Sequence, residues 1–274
     1  MNVMQLDFEE EQGKVEGVYY NAGKGTHLII IINGHNGFYN YGMFPFIQRS
    51  LYQNNISSYS FNFSHGGVIG DKDVFDDLAK YQKNCMRLEI ADVRAIMKSH
   101  AFDNHKQFLL LAHSLGGVPA IFSTANFSKQ RREITGLILV SSVSTLNFWP
   151  QSMLDEWKKL KVFYKINNRT KQALPQGEEF LTEILNHDST WNVLNKVSSL
   201  QIPILIVHGE MDEAVPMIHA ERLLMAAGEN NSRVTKVIIA GATHTYNTVH
   251  PFVEPSSELL SLINQIVQWV HKLS

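Results

Sequence analysis

Residues 28–32 read L-I-I-I-I, an unbroken apolar run of a strand's length, and residues 108–111 repeat the pattern as F-L-L-L. A strand that is apolar at every position must be covered on both faces, because alternate side chains point to opposite sides of the sheet. Further strand-like runs lie at 57–63, 134–140, 202–207 and 234–240, and helical patterns separate them. These helical segments fall near 46–52, over 76–99, after residue 117, and over 217–227 and 256–272. Leu78, Tyr81, Cys85, Leu88 and Ile96 share a face in the second, and Leu259, Leu262, Ile263, Ile266 and Trp269 in the last. Parallel neighbours need a crossover, and a helix supplies it. Two β-rich runs at the start, 3–8 and 14–20, joined by E-E-E-Q-G, predict an antiparallel hairpin. The expected fold is therefore α/β: a mostly parallel, eight-stranded sheet with helices on both faces, in which only the first hairpin is antiparallel.

One segment breaks the rhythm. Between strands six and seven lie residues 144–200, far longer than an ordinary connection. Met153, Trp157, Leu160 and Tyr164 suggest one helical stripe, and Phe180, Leu181, Ile184 and Leu185 another. This predicts a small helical cap inserted into a core made of 1–143 and 201–274. Which of its aromatic residues reach a substrate is not written in the sequence.

The 274 residues carry 24 Lys plus Arg against 26 Asp plus Glu, so no net field draws the chain to nucleic acid or to an anionic membrane. No stretch has the length and apolarity of a membrane span, and the expected location is cytoplasmic. The single cysteine, Cys85, falls in a helical pattern as a buried thiol, and no disulfide within the chain is possible. Neither a metal nor an organic cofactor is implied.

The chemistry points to residues 108–120, F-L-L-L-A-H-S-L-G-G-V-P-A, which read as strand, tight turn and helix. A serine in such a turn sits on a strained backbone with its hydroxyl clear of the sheet, and small residues two before and two after let strand and helix approach. Ser114 is the candidate nucleophile, with Ala112 where the G-x-S-x-G pattern has its first glycine. A serine hydroxyl needs a base, and the base needs an orienting carboxylate. In this architecture both come from loops after later strands, in the order Ser, acid, His. The loop after 202–207, H-G-E-M-D-E-A-V-P, offers Glu210, Asp212 and Glu213. Asp212, at its apex, is preferred, although it could also cap the helix that follows. The preceding strand ends in S-S-V-S-T-L-N-F-W, without a carboxylate.

Of the later histidines, His219 falls in a helix and His271 near the last residue, whereas His244 in A-G-A-T-H-T-Y directly follows the last strand. His244 is the expected base, with His250 second. An oxyanion needs preorganised N–H donors. The backbone of Leu115, at the amino end of a helix, is one. The glycine-rich loop N-G-H-N-G supplies the other through His35, whose imidazole either borders the pocket or lies at the surface.

With Ser114, Asp212 and His244 placed, the motifs A-H-S-L-G-G, V-H-G-E-M-D-E-A-V-P and G-A-T-H resemble the α/β-hydrolase superfamily. The order of parts is similar to small bacterial serine esterases of the feruloyl or cinnamoyl type, which also insert helices between the sixth and seventh strands. N-G-H-N-G corresponds to their H-G-x-x-G, with Asn33 in place of histidine, and F-N-F-S-H-G-G matches another family segment at His65 and Gly66. The resemblance implies hydrolysis of a small-molecule carboxylic ester through an acyl-enzyme. A thioesterase or acyltransferase would use the same three residues. For those, the run Lys158, Lys159, Lys161, Lys165, Arg169 and Lys171 would either meet a phosphate-bearing thioester or form a solvated face. A binding protein that has kept the pocket without the chemistry is the alternative of another class.

Overall fold

The computed structural model describes residues 3–10, 13–23, 27–127 and 133–273. Part of the polar E-E-E-Q-G connection falls outside the described residues.

The main sheet has eight strands, β1 (Val3–Glu10), β2 (Gly13–Tyr20), β3 (Leu28–Ile32), β4 (Ser57–Asn62), β5 (Gln107–His113), β6 (Glu133–Val140) and two later ones, β9 (Ile204–Gly209) and β10 (Val234–Ile239). Their order is β1-β2-β4-β3-β5-β6-β9-β10. β2 runs antiparallel to both β1 and β4, and every other pairing is parallel. The sequence reading placed the reversal in the first hairpin alone; it also extends to the β2–β4 pair, so β2 is the single reversed strand.

The apolar runs are buried on both faces, as their composition requires. Ile30, Ile32, Leu110 and Ala112 face one core cluster, and Ile29, Ile31, Leu109 and Leu111 face the other. The second cluster is closed by α1 (Phe44–Gln53) and by the last helix, α9 (Ser257–Leu273), through Leu51, Leu262 and Ile266. The first is closed by α3 (Met86–Lys98), α4 (Gly117–Ala125) and α8 (Ile218–Gly228).

The long helix expected over 76–99 is two. α2 (Leu78–Lys83) ends at Asn84, which is extended, and α3 begins after Cys85, also extended at φ −157°. Cys85 is buried, but it precedes α3 as its N-cap instead of lying within a helix. Two nearby carboxylates explain the restart: Glu183 accepts the backbone N–H groups of Met86 at 2.6 Å and Arg87 at 3.0 Å, both orphaned by the new helix start, while Glu89 accepts from the Asn84 amide at 2.8 Å.

The segment between β6 and β9 is only partly helical, which corrects the all-helical reading. It contains α5 (Gln151–Leu160), an antiparallel hairpin of β7 (Phe163–Ile166) and β8 (Ala173–Gln176), then α6 (Glu178–Leu185) and α7 (Val193–Ser198). Phe163-Tyr164-Lys165-Ile166 is β-branched and aromatic enough to pair as a strand. Tyr164 therefore leaves the predicted stripe and is exposed, as are Leu160 and Leu185. Leu154, Trp157, Phe180, Leu181 and Ile184 are buried and join the core cluster that covers one face of the sheet.

Candidate active site

β5 ends in His113, and the next residue, Ser114, takes φ 57°, the left-handed region that ordinary L-residues avoid. Holding a non-glycine residue there costs roughly 1–3 kcal/mol, supplied by the packing around it. The chain then turns through a short 3-10 stretch, Ser114–Gly116, into α4. Gly116 is required here, because a Cβ on it would lie 2.4 Å from the carbonyl oxygen of Asn33. Ala112, by contrast, is an ordinary ladder residue paired with Ile32 and Leu139, so the methyl group that departs from the glycine pattern is accommodated.

The loop after β3 presses directly on this turn. A Cβ on Gly34 would stand 2.7 Å from the Ser114 Cβ and 2.9 Å from the His113 carbonyl oxygen. Asn33, where the related motif has histidine, donates its side-chain amide to the Phe61 carbonyl at 2.7 Å and so ties the loop to β4. His35 lines the cavity that opens above Ser114, and its Nε2 meets the side-chain Nε2 of Gln176 at 2.7 Å. Of the two positions left open for its imidazole, the structure gives the pocket wall. Burial, and secondarily the charge of Lys165, push its pKa down to about 3, so the ring is neutral. Leu115 is buried immediately after Ser114 and is not part of the cavity wall.

Asp212 and His244 meet because β9 and β10 are parallel neighbours whose following loops leave the sheet side by side. Backbone bonds from Glu210 to Ile239 (3.0 Å) and from Met211 to Ala242 (2.9 Å) continue that pairing beyond the strands. Asp212 Oδ2 lies 2.8 Å from His244 Nδ1, and Oδ1 accepts from the amides of Ala214 (3.1 Å) and Val215 (2.8 Å). Its side chain is fully buried. Burial raises this carboxyl, but the bond to His244, the charge of that ring, the Val215 amide and the Ser141 hydroxyl outweigh it and hold the pKa below its ordinary value. Asp212 does not cap the helix that follows, whose N-cap is Met217 without a side-chain bond; one of its oxygens caps the turn at Ala214 and Val215 and the other meets the histidine. Glu210 and Glu213 are exposed, and Glu210 accepts from the Gly241 amide.

From β10 the histidine loop must cross two strands to approach β5, a span of about 14 Å at the usual strand spacing. Tyr246 anchors it: the fully buried ring sends its hydroxyl to the Val207 carbonyl at 3.3 Å. His113 completes the anchorage, with its Nε2 2.9 Å from the His244 carbonyl oxygen and its ring 4.6 Å from the His244 ring. Burial and the adjacent His244 push the His113 pKa down to about 3, so it is a neutral donor. His113 was visible beside Ser114, yet nothing local distinguished it. Its role depends on a residue 131 positions away.

The cavity has a volume of about 270 Å³, and Ser114, His35, His113 and His244 all line it. With Nδ1 held by Asp212, the second nitrogen of His244 is the one left for the cavity. The other histidines have different partners. His219 Nδ1 accepts from the Ser144 amide, and His250 Nδ1 accepts from that of Gly42. His271 meets the Asn54 carbonyl, and His65 meets Ser64. The far wall comes from Asn167, Asn168 and Arg169, at the tip of the β7–β8 hairpin. Of these three, the sequence singled out only Arg169, as one member of the basic run, and nothing in it pointed to Asn167 or Asn168. Among the described residues no three His, Cys, Asp or Glu side chains are grouped to hold a metal ion, and no helix is long and apolar enough to cross a membrane.

No family model matches the sequence, and no curated protein matches it significantly. Solved structures do resemble it over its whole length. Est1E from Butyrivibrio proteoclasticus, with ferulic acid bound, is 17% identical with a TM-score of 0.71, covering 98% of both chains. A monoacylglycerol lipase from Paleococcus ferrophilus is 14% identical with a TM-score of 0.66 and full coverage of both. Alpha/beta hydrolase domain-containing protein 10 from mouse is 17% identical with a TM-score of 0.70, covering 99% of this chain and all of that one. At such identities the likeness is one of fold.

Proposed function

The chain has the α/β-hydrolase fold, and on that premise we propose that it is a serine hydrolase cleaving carboxylic esters of small to medium acyl groups. The observation that carries this reading is the Asp212–His244 bond of 2.8 Å beside a cavity that His244 shares with Ser114. In the proposed reaction His244 takes the proton of the Ser114 hydroxyl as the oxygen attacks the ester carbonyl. Asp212, ionised, fixes the ring tautomer and balances the imidazolium. The backbone N–H groups of Leu115 and His35 receive the negative charge of the tetrahedral intermediate. His244 then protonates the leaving alcohol, and water releases the acyl group by the reverse sequence. Every group this needs is a side chain or amide of the chain itself.

The segment 144–200 is proposed to act as a cap, with the hairpin tip closing the cavity wall opposite Ser114. A thioester reading drew on the basic run in this segment. Three of those charges have a carboxylate partner, Lys161 in Glu178, Lys158 in Asp155 at 4.0 Å and Arg169 in Asp73 at 3.5 Å, and of the run only Arg169 lines the cavity. A cytoplasmic setting suits the lone, buried Cys85.

Labelling with a fluorophosphonate tests the proposal. The expected result is one adduct on Ser114, absent from Ser114→Ala, together with a fall in kcat on a short aryl ester of about 10⁴-fold or more. An unlabelled Ser114, or hydrolysis that survives its removal, would leave a pocket without this chemistry.

A further inference from the structure

The cavity wall is electrically one-sided. Among the described residues that line it none carries a carboxylate, and its histidines His35 and His113 are held neutral. The one lining residue with a permanent charge is Arg169, whose side chain is 26% exposed. That side chain is presented by design of the hairpin turn. Asn167 Oδ1 accepts the backbone amides of Arg169 (3.0 Å) and Thr170 (3.1 Å), which fixes the turn and leaves the Asn167 NH₂ as a donor. The guanidinium lies 5.5 Å from the centre of the Phe38 ring, a packing that holds it in place without neutralising it.

Asp73 is its counter-charge, and an incomplete one. The Asp73 carboxylate is 3.5 Å from one Arg169 nitrogen, while another nitrogen binds the Asp73 backbone carbonyl. The same carboxylate oxygen is 3.6 Å from His250 Nε2, and the Asp73 side chain is half exposed to water. A guanidinium has five N–H donors, so Arg169 retains donors for a second planar or tetrahedral oxyanion. Charges of the hairpin act on nearby histidines: after burial, Lys165 contributes to the lowered His35 pKa, and Arg169 to that of His250.

We propose that Arg169, on the 167–169 turn of the β7–β8 hairpin, binds an anionic carboxylate or phosphate group carried by the substrate, making charged acyl esters or phosphate-bearing thioesters the preferred class. This rests on the hydrolase reading above and names its substrate. Lys158, Lys159 and the other lysines of the basic run are not needed for it; the selectivity comes from the one cation in the wall.

Two substrate pairs that differ chiefly in charge test it. In the first, the 4-nitrophenyl monoester of glutaric acid is compared with 4-nitrophenyl methyl glutarate. In the second, S-butyryl-4′-phosphopantetheine is compared with S-butyrylpantetheine. The expected wild-type preference is for the charged member of at least one pair, carried in KM and weakened by salt. Arg169→Gln should lower that charged-over-neutral ratio of kcat/KM about tenfold, and Asp73→Asn should raise it about threefold by freeing the guanidinium. A shift in the first pair places the anion on the acyl side, and a shift in the second places it on the leaving group.

If Arg169 only pins the hairpin, both variants change charged and neutral substrates alike and the ratios stay fixed, which overturns the proposal. Binding is read separately from turnover by thermal unfolding of Ser114→Ala with millimolar glutarate or inorganic phosphate. A rise in Tm that Arg169→Gln abolishes supports the anion site even where no ester is cleaved, and no rise with either anion overturns it. Loss of hydrolysis with the Tm shift intact would fall on the hydrolase reading alone.

Discussion

The two walls of the cavity are built in different ways. The wall holding Ser114, Asp212 and His244 hangs from the ends of β5, β9 and β10, and it is fixed by backbone bonds between neighbouring loops together with the side chains of Asp212, Tyr246 and His113, which lie in those strand ends and loops. The opposite wall, made of the 33–37 loop and the β7–β8 hairpin, is held by side chains reaching across the fold. Gln176 meets His35, Tyr81 bonds to Asn36, and Gln172 brackets Phe75 with bonds of 3.0 and 2.9 Å to its backbone. A wall tied to sheet ends tolerates change in chemistry without loss of fold. One tied by side chains couples stability to shape.

The sharpest break of this contrast is Asp212→Asn, which keeps the volume and the caps on Ala214 and Val215 but inverts the tautomer demanded of His244. We expect kcat to fall about 10⁴-fold, with circular dichroism unchanged and Tm lowered only slightly. Trp157→Ala addresses the other wall: this fully buried ring packs 5.6 Å from Phe163 and 6.2 Å from Phe180, and its loss should lower the unfolding free energy by about 3–5 kcal/mol in urea denaturation. Gly34→Ala tests the seam between the two. Its methyl would sit 2.7 Å from the Ser114 Cβ, so the loop must retreat, and kcat should drop about 100-fold while KM changes little.

The last expected effect depends on pH and is read as a slope. Glu89 is buried behind the 33–37 loop, near Gln176 and Phe180, and burial lifts its pKa from 4.5 to about 8. The folded state therefore keeps a proton that the unfolded state has lost above pH 4.5. Its contribution to stability is complete below that pH and declines as pH rises through about 8, by up to about 1.4 kcal/mol per pH unit. Glu89→Gln should remove this slope, so that the variant gains on the wild type between pH 5 and pH 8 in urea titrations. A difference that does not depend on pH would show that Glu89 is ionised in the folded chain.

How much of this could be read from residues alone follows from the range of the forces involved. The apolar runs of β3 and β5 announced a sheet covered on both faces, since a strand's own side chains report what covers it. The Ser114 turn was legible because a left-handed serine between small residues is a local demand on local sequence. Asp212 and His244 followed from their position after successive strands. The division of the 76–99 helix was not legible, because its restart depends on Glu183, nearly a hundred residues away. The β7–β8 hairpin was hidden for a related reason: Met153, Trp157, Leu160 and Tyr164 fit a helical period, and only pairing with 173–176 pulls Tyr164 out of it.

The sequence by itself therefore determined the sheet, the strained serine and the places of Asp212 and His244 after later strands, each a matter of periodicity or of neighbours in the chain. Only the tertiary structure decided which residues face Ser114 across the cavity. Crossing two strands put His244 under the hold of His113, and the folding back of a long insertion put Arg169 in the lining of the cavity that His35 also lines. Those contacts join residues far apart in sequence, and no local pattern of polarity encodes a distance that the rest of the chain must close.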